Sequence, residues 1–470
     1  MEIHATPPLK VLLVNPPPAI SRLSPPLGLA ALAAMLRERY EVRILDLSIP
    51  SDDPRALLMK PIEEEGFNVV GITGMTYQIK SALAAARYVK ARRPDTLVVL
   101  GGVHATFCSE EVLAEPGVDM VVRFEGETTL MEILDRLEAG ALDPAKIEGI
   151  AYRKNGEVVE TARRPLVDID SLPYPARDLL PMDVYARMEN NIIHFPDIEV
   201  MFSRGCVGDC DFCCSHAFWK KFRFRAPDKI LGELADIKER FGITRFSIVD
   251  DFFTANRDFL SEFCRLVKPL KIKWSCLARA DYVFPELLKE MKAAGCYLVA
   301  YGVETGCQAL LDRERKRFKV DDVRRAFRLH LEAGLPTCSL VMVGHPYETR
   351  QDLEATQRLL KECKPFLVIP QFAAPFPGTR WADRICQEAG EIVNRDWDAY
   401  HSPTEPLFIP EGLDADTLVA YFRRFQAMNG NFFTRVHRRL QMEKILERPR
   451  WHPRILFHTL MYGLTGDLSH

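Results

Sequence analysis
The sequence predicts an α/β protein in two parts: a doubly wound parallel sheet at the N-terminus, then a second run of six β/α units that ends in a helical extension. Three observations carry this. Short β-branched or apolar runs alternate with helical periods from Lys10 to about Leu137. The alternation resumes near Ile198 and continues to about Gln371. Between the two lies a Pro-containing passage, Arg164 to Pro181, which suits a linker because Pro removes backbone donors and restricts its predecessor. The boundaries that follow are 8–140 for the first sheet domain and 141–197 for a hairpin and linker, then 198–412 for the second domain and 413–470 for the extension.

In the first part the candidate strands are Val11–Val14, Val42–Leu45, Val69–Ile72, Leu97–Leu100 and Met120–Val122. Segments starting near Leu27, Ile79 and Thr128 carry apolar residues at helical spacing. Five strands with helical crossovers imply a parallel sheet, whose ligands gather beyond the carboxyl ends of the strands. There the chain places Asn15-Pro16-Pro17, Gly71-Ile72-Thr73-Gly74, Gly101-Gly102-Val103-His104 and Glu125-Gly126-Glu127. Glycine lets backbone approach a bulky ligand closely, although it also serves tight turns. Asn15, Gly74, Gly102, Glu125 and Gly126 are therefore the candidate ligand shelf. Residues 149–159 read as a β-hairpin turning on Asn155-Gly156.

Composition narrows the function. A chain of 470 residues suggests roughly three domains at about 150 residues each. An apolar share of 47% is enough to bury cores, which excludes wholesale disorder. Lys and Arg number 62 against 65 Asp and Glu, so the charge is too balanced for a binder of nucleic-acid phosphates. No run approaches about 18 uninterrupted apolar residues, which predicts a soluble, cytoplasmic protein. The 12 cysteines are not spaced like a disulfide framework, which fits a reducing compartment.

The sharpest signal is Cys206-Val-Gly-Asp-Cys210-Asp-Phe-Cys213, directly after the strand candidate Glu199–Phe202. Three soft thiolates from one loop can hold three irons of a cubane cluster and leave the fourth open. The competing reading is a structural zinc site closed by Cys214 or His216, and spacing alone does not decide between them. Downstream, strand candidates Arg245–Val249, Lys273–Cys276, Leu298–Tyr301, Ser339–Val343 and Leu367–Gln371 alternate with amphipathic helices such as Asp228–Phe241, Pro285–Ala294 and Asp321–Ala333. Polar residues follow these strands: Asp250-Asp251, Arg279, Glu304 and Gly344-His345-Pro346.

The Cys-x-x-x-Cys-x-x-Cys spacing, with aromatic Phe212 before its last Cys, resembles the radical S-adenosylmethionine superfamily. Over residues 8–140 the layout, with Pro25-Pro26-Leu27-Gly28 and Gly101-Gly102-Val103-His104, resembles the Rossmann-like cobalamin-binding domain found in front of many such enzymes. The Asp-x-His-x-x-Gly signature of proteins that bind cobalt through a histidine is absent, so a lower ligand of that type is not expected. The resemblance implies a partial (β/α)6 barrel and three cofactors: a 4Fe-4S cluster on Cys206, Cys210 and Cys213, S-adenosylmethionine, and cobalamin on the shelf. It implies that the open iron chelates S-adenosylmethionine and that reductive cleavage gives a 5′-deoxyadenosyl radical. By motif position it assigns Arg279 to the carboxylate of S-adenosylmethionine, and Asp250 and Glu304 to its ammonium and ribose. Relatives usually show Gly-x-Pro-Gly-Glu-Thr where this chain has Gly344-His345-Pro346-Tyr347-Glu348-Thr349, which brings a ring near the site.

Cobalamin paired with a radical site implies methyl transfer to an unactivated carbon, one S-adenosylmethionine giving the methyl group and a second the radical. The catalytic residues are not named by this reasoning. The same pair of domains also resembles the anaerobic tetrapyrrole ring cyclase, which transfers no methyl, and a non-enzymatic cobalamin or metal sensor is the alternative from another class. The implied partners are a small-molecule substrate, with lipid or tetrapyrrole as candidates, and an electron donor of the flavodoxin or ferredoxin type. The basic stretch 435–454, followed by apolar residues, offers two readings: a solvated helix, or a peripheral contact with an anionic membrane.

Overall fold
The computed structural model describes residues 9–18, 24–187, 197–400 and 404–430. The chain divides into two compact units, Met1–Tyr185 with Asp396–His401, and Ala186–Arg395 with Ser402–His470.

The first unit holds β1 (Lys10–Asn15), β2 (Glu41–Asp46), β3 (Val69–Thr73), β4 (Leu97–Gly101), β5 (Met120–Val122), β6 (Ile150–Lys154) and β7 (Glu157–Glu160). They form one sheet in the order β2-β1-β3-β4-β5-β6-β7, with the first five strands parallel and the last two antiparallel. The central strands are apolar at nearly every position because both sheet faces are covered. Val98 and Leu100 point to one face, against Ala82, Ala86 and Val89 of the helix Ile79–Arg92, while Val99 points to the other, with Ile133 and Ile150. Strand order reverses between β1 and β3, which opens the crevice where such sheets take ligands. The β6–β7 turn has Asn155 and Gly156 at φ 54° and 88°, the signs a two-residue hairpin turn requires.

The segment Asp396–Tyr400 belongs to this first unit although the chain around it belongs to the second. Trp397 packs on the apolar core, and Lys80 pairs with Asp396 at 2.5 Å and Asp398 at 3.3 Å.

The second unit holds β8 (Ile198–Val200), β9 (Ser203–Arg204), β10 (Arg223–Phe224), β11 (Arg245–Ile248), β12 (Lys273–Ala278), β13 (Cys296–Glu304), β14 (Thr337–Val343), β15 (Leu367–Phe372), β16 (Gly390–Ile392) and β17 (Phe408–Pro410). Six of them form a wholly parallel sheet, β8-β11-β12-β13-β14-β15, in which each strand neighbours the next in sequence and the first and last are not paired. This is the expected partial barrel. The strands are joined by helices whose ends are written locally: Pro opens Pro227–Phe241 and Pro285–Ala293, and Gly242 and Gly334 close their helices in the left-handed conformation. Because all six strands run one way, their carboxyl ends share one face.

Past the barrel, Asp414 caps the helix Ala415–Ala427 through the backbone N–H of Thr417, and Phe422 stacks on Phe372 of β15 at 4.5 Å. The basic stretch 435–454 lies outside the described residues. No helix among the described residues is long and apolar enough to cross a membrane.

Candidate active site
The cysteine loop leaves the carboxyl end of β8 through the β9–β10 ribbon. Ion pairs pin it. Arg380 grips Asp209 at 2.8 and 2.9 Å and Asp211 at 2.8 Å, and Arg315 reaches Asp211 at 3.3 Å. Inside the loop the N–H of Gly208 donates to Cys206 Sγ at 3.3 Å, and that of Ser215 donates to Cys213 Sγ at 3.4 Å. A Cβ placed on Gly208 would lie 3.4 Å from Cys206 Sγ, 3.7 Å from Cys210 Sγ and 3.2 Å from Arg279 Nη1, so two thiols and a guanidinium converge on one point. Burial raises the pKa of the Cys206 and Cys210 thiols, and the Arg279 and Lys316 cations oppose that shift at both. Cys213 and Asp251 keep accessible surface although protein atoms crowd both, as side chains lining a hollow do.

A single zinc would draw thiols to within about 4 Å of one another, since Zn–S bonds are about 2.3 Å in a tetrahedron. Among the described residues, no three ligand atoms from Cys206, Cys210, Cys213, Cys214 and His216 lie within 4.8 Å of one another.

Two of the three predicted polar residues face these thiols. Arg279, at the end of β12, is held by Asp281 at 3.0 and 3.1 Å and by the carbonyl of Lys316 at 2.7 Å. Glu304 ends β13 just past a register shift and takes φ 62°, a strained conformation that turns its carboxylate onto Lys316 Nζ at 2.5 Å. Burial lowers the pKa of Lys316, but the Glu304 carboxylate, helped by Cys210 in its thiolate form, raises it above the ordinary lysine value. Its Nζ also stands 5.3 Å from the centre of the Phe212 ring. Asp250 is placed differently. Its side chain is fully buried, its Oδ1 accepts from Phe202 N–H at 2.8 Å, and burial pushes its pKa up to about 7. It braces the backbone that leads into the cysteine loop. Asp251 accepts from Ser215 Oγ at 2.5 Å, beside the last cysteines.

Beyond β14, His345 is fully buried 3.7 Å from Glu314, whose other oxygen accepts from Trp381 Nε1 at 2.7 Å. Trp381 lies 5.6 Å from the Phe212 ring, which links this cluster to the cysteine loop. Glu348 takes the N–H groups of Gly344 and His345 at 2.6 and 3.2 Å. Tyr347 takes φ 65°, and its ring centre lies 4.3 Å from the Arg313 guanidinium.

In the first unit, Asn15, Gly74 and Gly102 stand at the ends of β1, β3 and β4. Asn15 is bound to Asp46 at 2.8 Å and accepts from Gln78 at 3.3 Å, while Tyr185 donates to Asp46 at 2.5 Å. Gly74 N–H donates to the Gly101 carbonyl at 3.1 Å. Gly102 takes φ 101°, and a Cβ there would lie 2.9 Å from Gly74 O, so only glycine allows this approach. At the end of β5, Glu125 is turned to the N–H of Val167 at 3.2 Å, and Gly126 opens the helix Glu127–Glu138.

Residues 20–134 match the B12 binding domain model, and residues 200–360 match the Radical SAM superfamily model. An uncharacterized methyltransferase of Pyrococcus horikoshii is 33% identical over 404 residues, covering 83% of this chain and 86% of that one. The chain belongs to the cobalamin-dependent radical S-adenosylmethionine enzymes. The anaerobic magnesium-protoporphyrin IX monomethyl ester cyclase of Rubrivivax gelatinosus is 29% identical over 423 residues, covering 85% of this chain and 73% of that one. Two solved structures share the fold: the cobalamin-dependent radical enzyme OxsB, with TM-score 0.76 at 17% identity over 97% of this chain and 71% of that one, and the methyltransferase TsrM of Kitasatospora setae, with 0.68 at 19% over 88% and 84%.

For a radical S-adenosylmethionine enzyme, the residues of the second unit fit the expected cofactors. Three thiols on one loop, a buried guanidinium and ammonium beside them, and a carboxylate held at a strained bulge form a donor set for a cluster and a zwitterionic ligand. Lys316 was not legible as a site residue. It lies in the run Arg-Glu-Arg-Lys-Arg-Phe-Lys at 313–319, which reads as a solvated charged stretch. Of the Glu314–His345–Trp381 cluster only His345 was named as a strand-end residue; its partners Glu314 and Trp381 were missed, because they are far from it in sequence.

Proposed function
We propose that this enzyme methylates an unactivated carbon of a small-molecule substrate. The observation that carries the reading is the 33% identity to a methyltransferase across 86% of that relative, joined to a B12 binding domain in the same chain. When bound, the cluster supplies the electron that cleaves S-adenosylmethionine to a 5′-deoxyadenosyl radical, and cobalamin supplies the transferable methyl group. Cys206, Cys210 and Cys213 would hold three irons and leave one corner for S-adenosylmethionine. Arg279 would neutralise the carboxylate of that ligand, with Lys316 adding a second buried cation, and Glu304 and Asp251 would accept from its ammonium and ribose hydroxyls. Asp250 would act by fixing the backbone at Phe202. Asn15, Gly74, Gly102, Glu125 and Gly126 would border the cobalamin site, the three glycines by allowing a flat ligand close to the backbone. A flavodoxin or ferredoxin would serve as the electron donor, and lipids and tetrapyrroles are the substrate classes to try first.

The relationship to ring cyclases supports a second reading, oxidation of a tetrapyrrole without methyl transfer. One experiment separates the two. Turnover of candidate substrates with S-adenosylmethionine carrying a trideuterated methyl group should give a product heavier by that group; a product that has lost hydrogens and gained no label supports the cyclase.

A further inference from the structure
We propose that His104, Cys108 and Glu111 form a metal site in the first unit, built for a single divalent ion of the zinc class. A ring nitrogen, a thiol and a carboxylate oxygen from these three residues lie within 4.8 Å of one another, the spread of donors around one ion. The spacing His-x-x-x-Cys-x-x-Glu runs from the short helix Val103–Phe107 into the helix Ser109–Ala114 and keeps the three on one side of the chain.

An independent observation points to a missing ligand. His104 is fully buried and its Nε2 has no hydrogen-bond partner, a costly arrangement unless something else occupies that lone pair. Its other nitrogen, Nδ1, lies 3.3 Å from Thr76 Oγ1, the outer hydrogen bond that typically fixes the tautomer of a ligating histidine. Glu111 is oriented in the same manner. Trp397 Nε1 donates to its Oε1 at 2.6 Å, leaving Oε2 for an ion, and the Trp397 ring stands edge-on to His104 at 4.9 Å. Burial holds the pKa of His104 down to about 4, so the imidazole is neutral, and pushes that of Cys108 up to about 12, so binding releases the thiol proton to water.

Three protein donors leave one coordination position for water or an outside ligand. Because Trp397 belongs to the returning segment, the ion would also tie Asp396–Tyr400 to the carboxyl end of β4. This site owes nothing to the cysteines of the second unit.

The test uses full-length protein reconstituted with iron, sulfide and cobalamin, then equilibrated with Zn(II) and dialysed, with zinc, iron and cobalt counted per chain. One zinc per chain is expected in the wild type, falling at least tenfold in Cys108→Ala and in Glu111→Gln with iron and cobalt unchanged. Trp397→Phe keeps the ring but loses the hydrogen bond, and should weaken zinc binding about 10–100-fold. A wild type that retains no zinc, or Cys108→Ala and Glu111→Gln variants that both retain the full equivalent, would overturn the site. Should Cys108→Ala fail to fold, Glu111→Gln, a change at an exposed residue, decides alone.

Discussion
Lys316 is the residue whose position says most about the chemistry. A buried ammonium 2.5 Å from Glu304 and near the Cys210 thiol is stable only while its partners are charged or the site is filled. Lys316→Ala leaves Glu304 buried without its cation and should lower stability by about 3–5 kcal/mol. Thermal unfolding of the single variants and of Lys316→Ala/Glu304→Ala checks this, with the double variant expected to lose less than the sum of the two. Asp250 gives a pH signature. Burial raises its pKa to about 7 in the folded chain, so the native state keeps a proton that the unfolded chain gives up at about pH 4. Its contribution therefore weakens stability as pH rises from about 4 to 7 and is level above that. Asp250→Asn keeps an oxygen for the Phe202 N–H and removes the titration. Denaturant melts across that window should show a flatter profile for the variant, with a gain on the order of 2–4 kcal/mol at pH 8.

At the scale of elements, the parallel strands bring the chemistry to one edge of each sheet. Where β3 and β4 end, Gly102 lets two backbones touch; in Gly102→Ala the new Cβ, at φ 101° and 2.9 Å from Gly74 O, should reduce stability by about 2–4 kcal/mol and diminish retained cobalamin. Calorimetry and a cobalt count read the two effects separately. The five parallel strands of the first sheet and the six of the barrel were legible because most are short runs rich in apolar and β-branched residues, alternating with helical periods. The cysteine loop was legible because three soft ligands at fixed spacing have few other uses. The β9–β10 ribbon was not, since its strands are two residues each and carry no periodicity. Nor was the inward turn of Lys316. Among the five cations of residues 313–319, the one that goes inside is chosen by where the bulge at Gly302–Glu304 aims a carboxylate, a tertiary fact absent from local sequence. Asn15 and Glu125 illustrate the reverse: both stand at strand ends as expected, yet their side chains are engaged by Asp46 and Gln78, and by Val167.

For the whole molecule, the chain carries two ligand-type sheets of different kinds, one matching a B12 binding domain and one a radical S-adenosylmethionine domain. Neither sheet by itself would account for the proposed methylation of an inert carbon: a radical must be made and a methyl group must be held ready. That dependence rests on the cysteine loop binding a cluster with one corner free. The most direct test is the yield of 5′-deoxyadenosine from anaerobically reconstituted protein given dithionite and S-adenosylmethionine. Wild type should form it and Cys210→Ala should lose both the iron and the product; an equal yield from the variant, or iron-free wild type loaded with zinc at the three cysteines, would contradict the account.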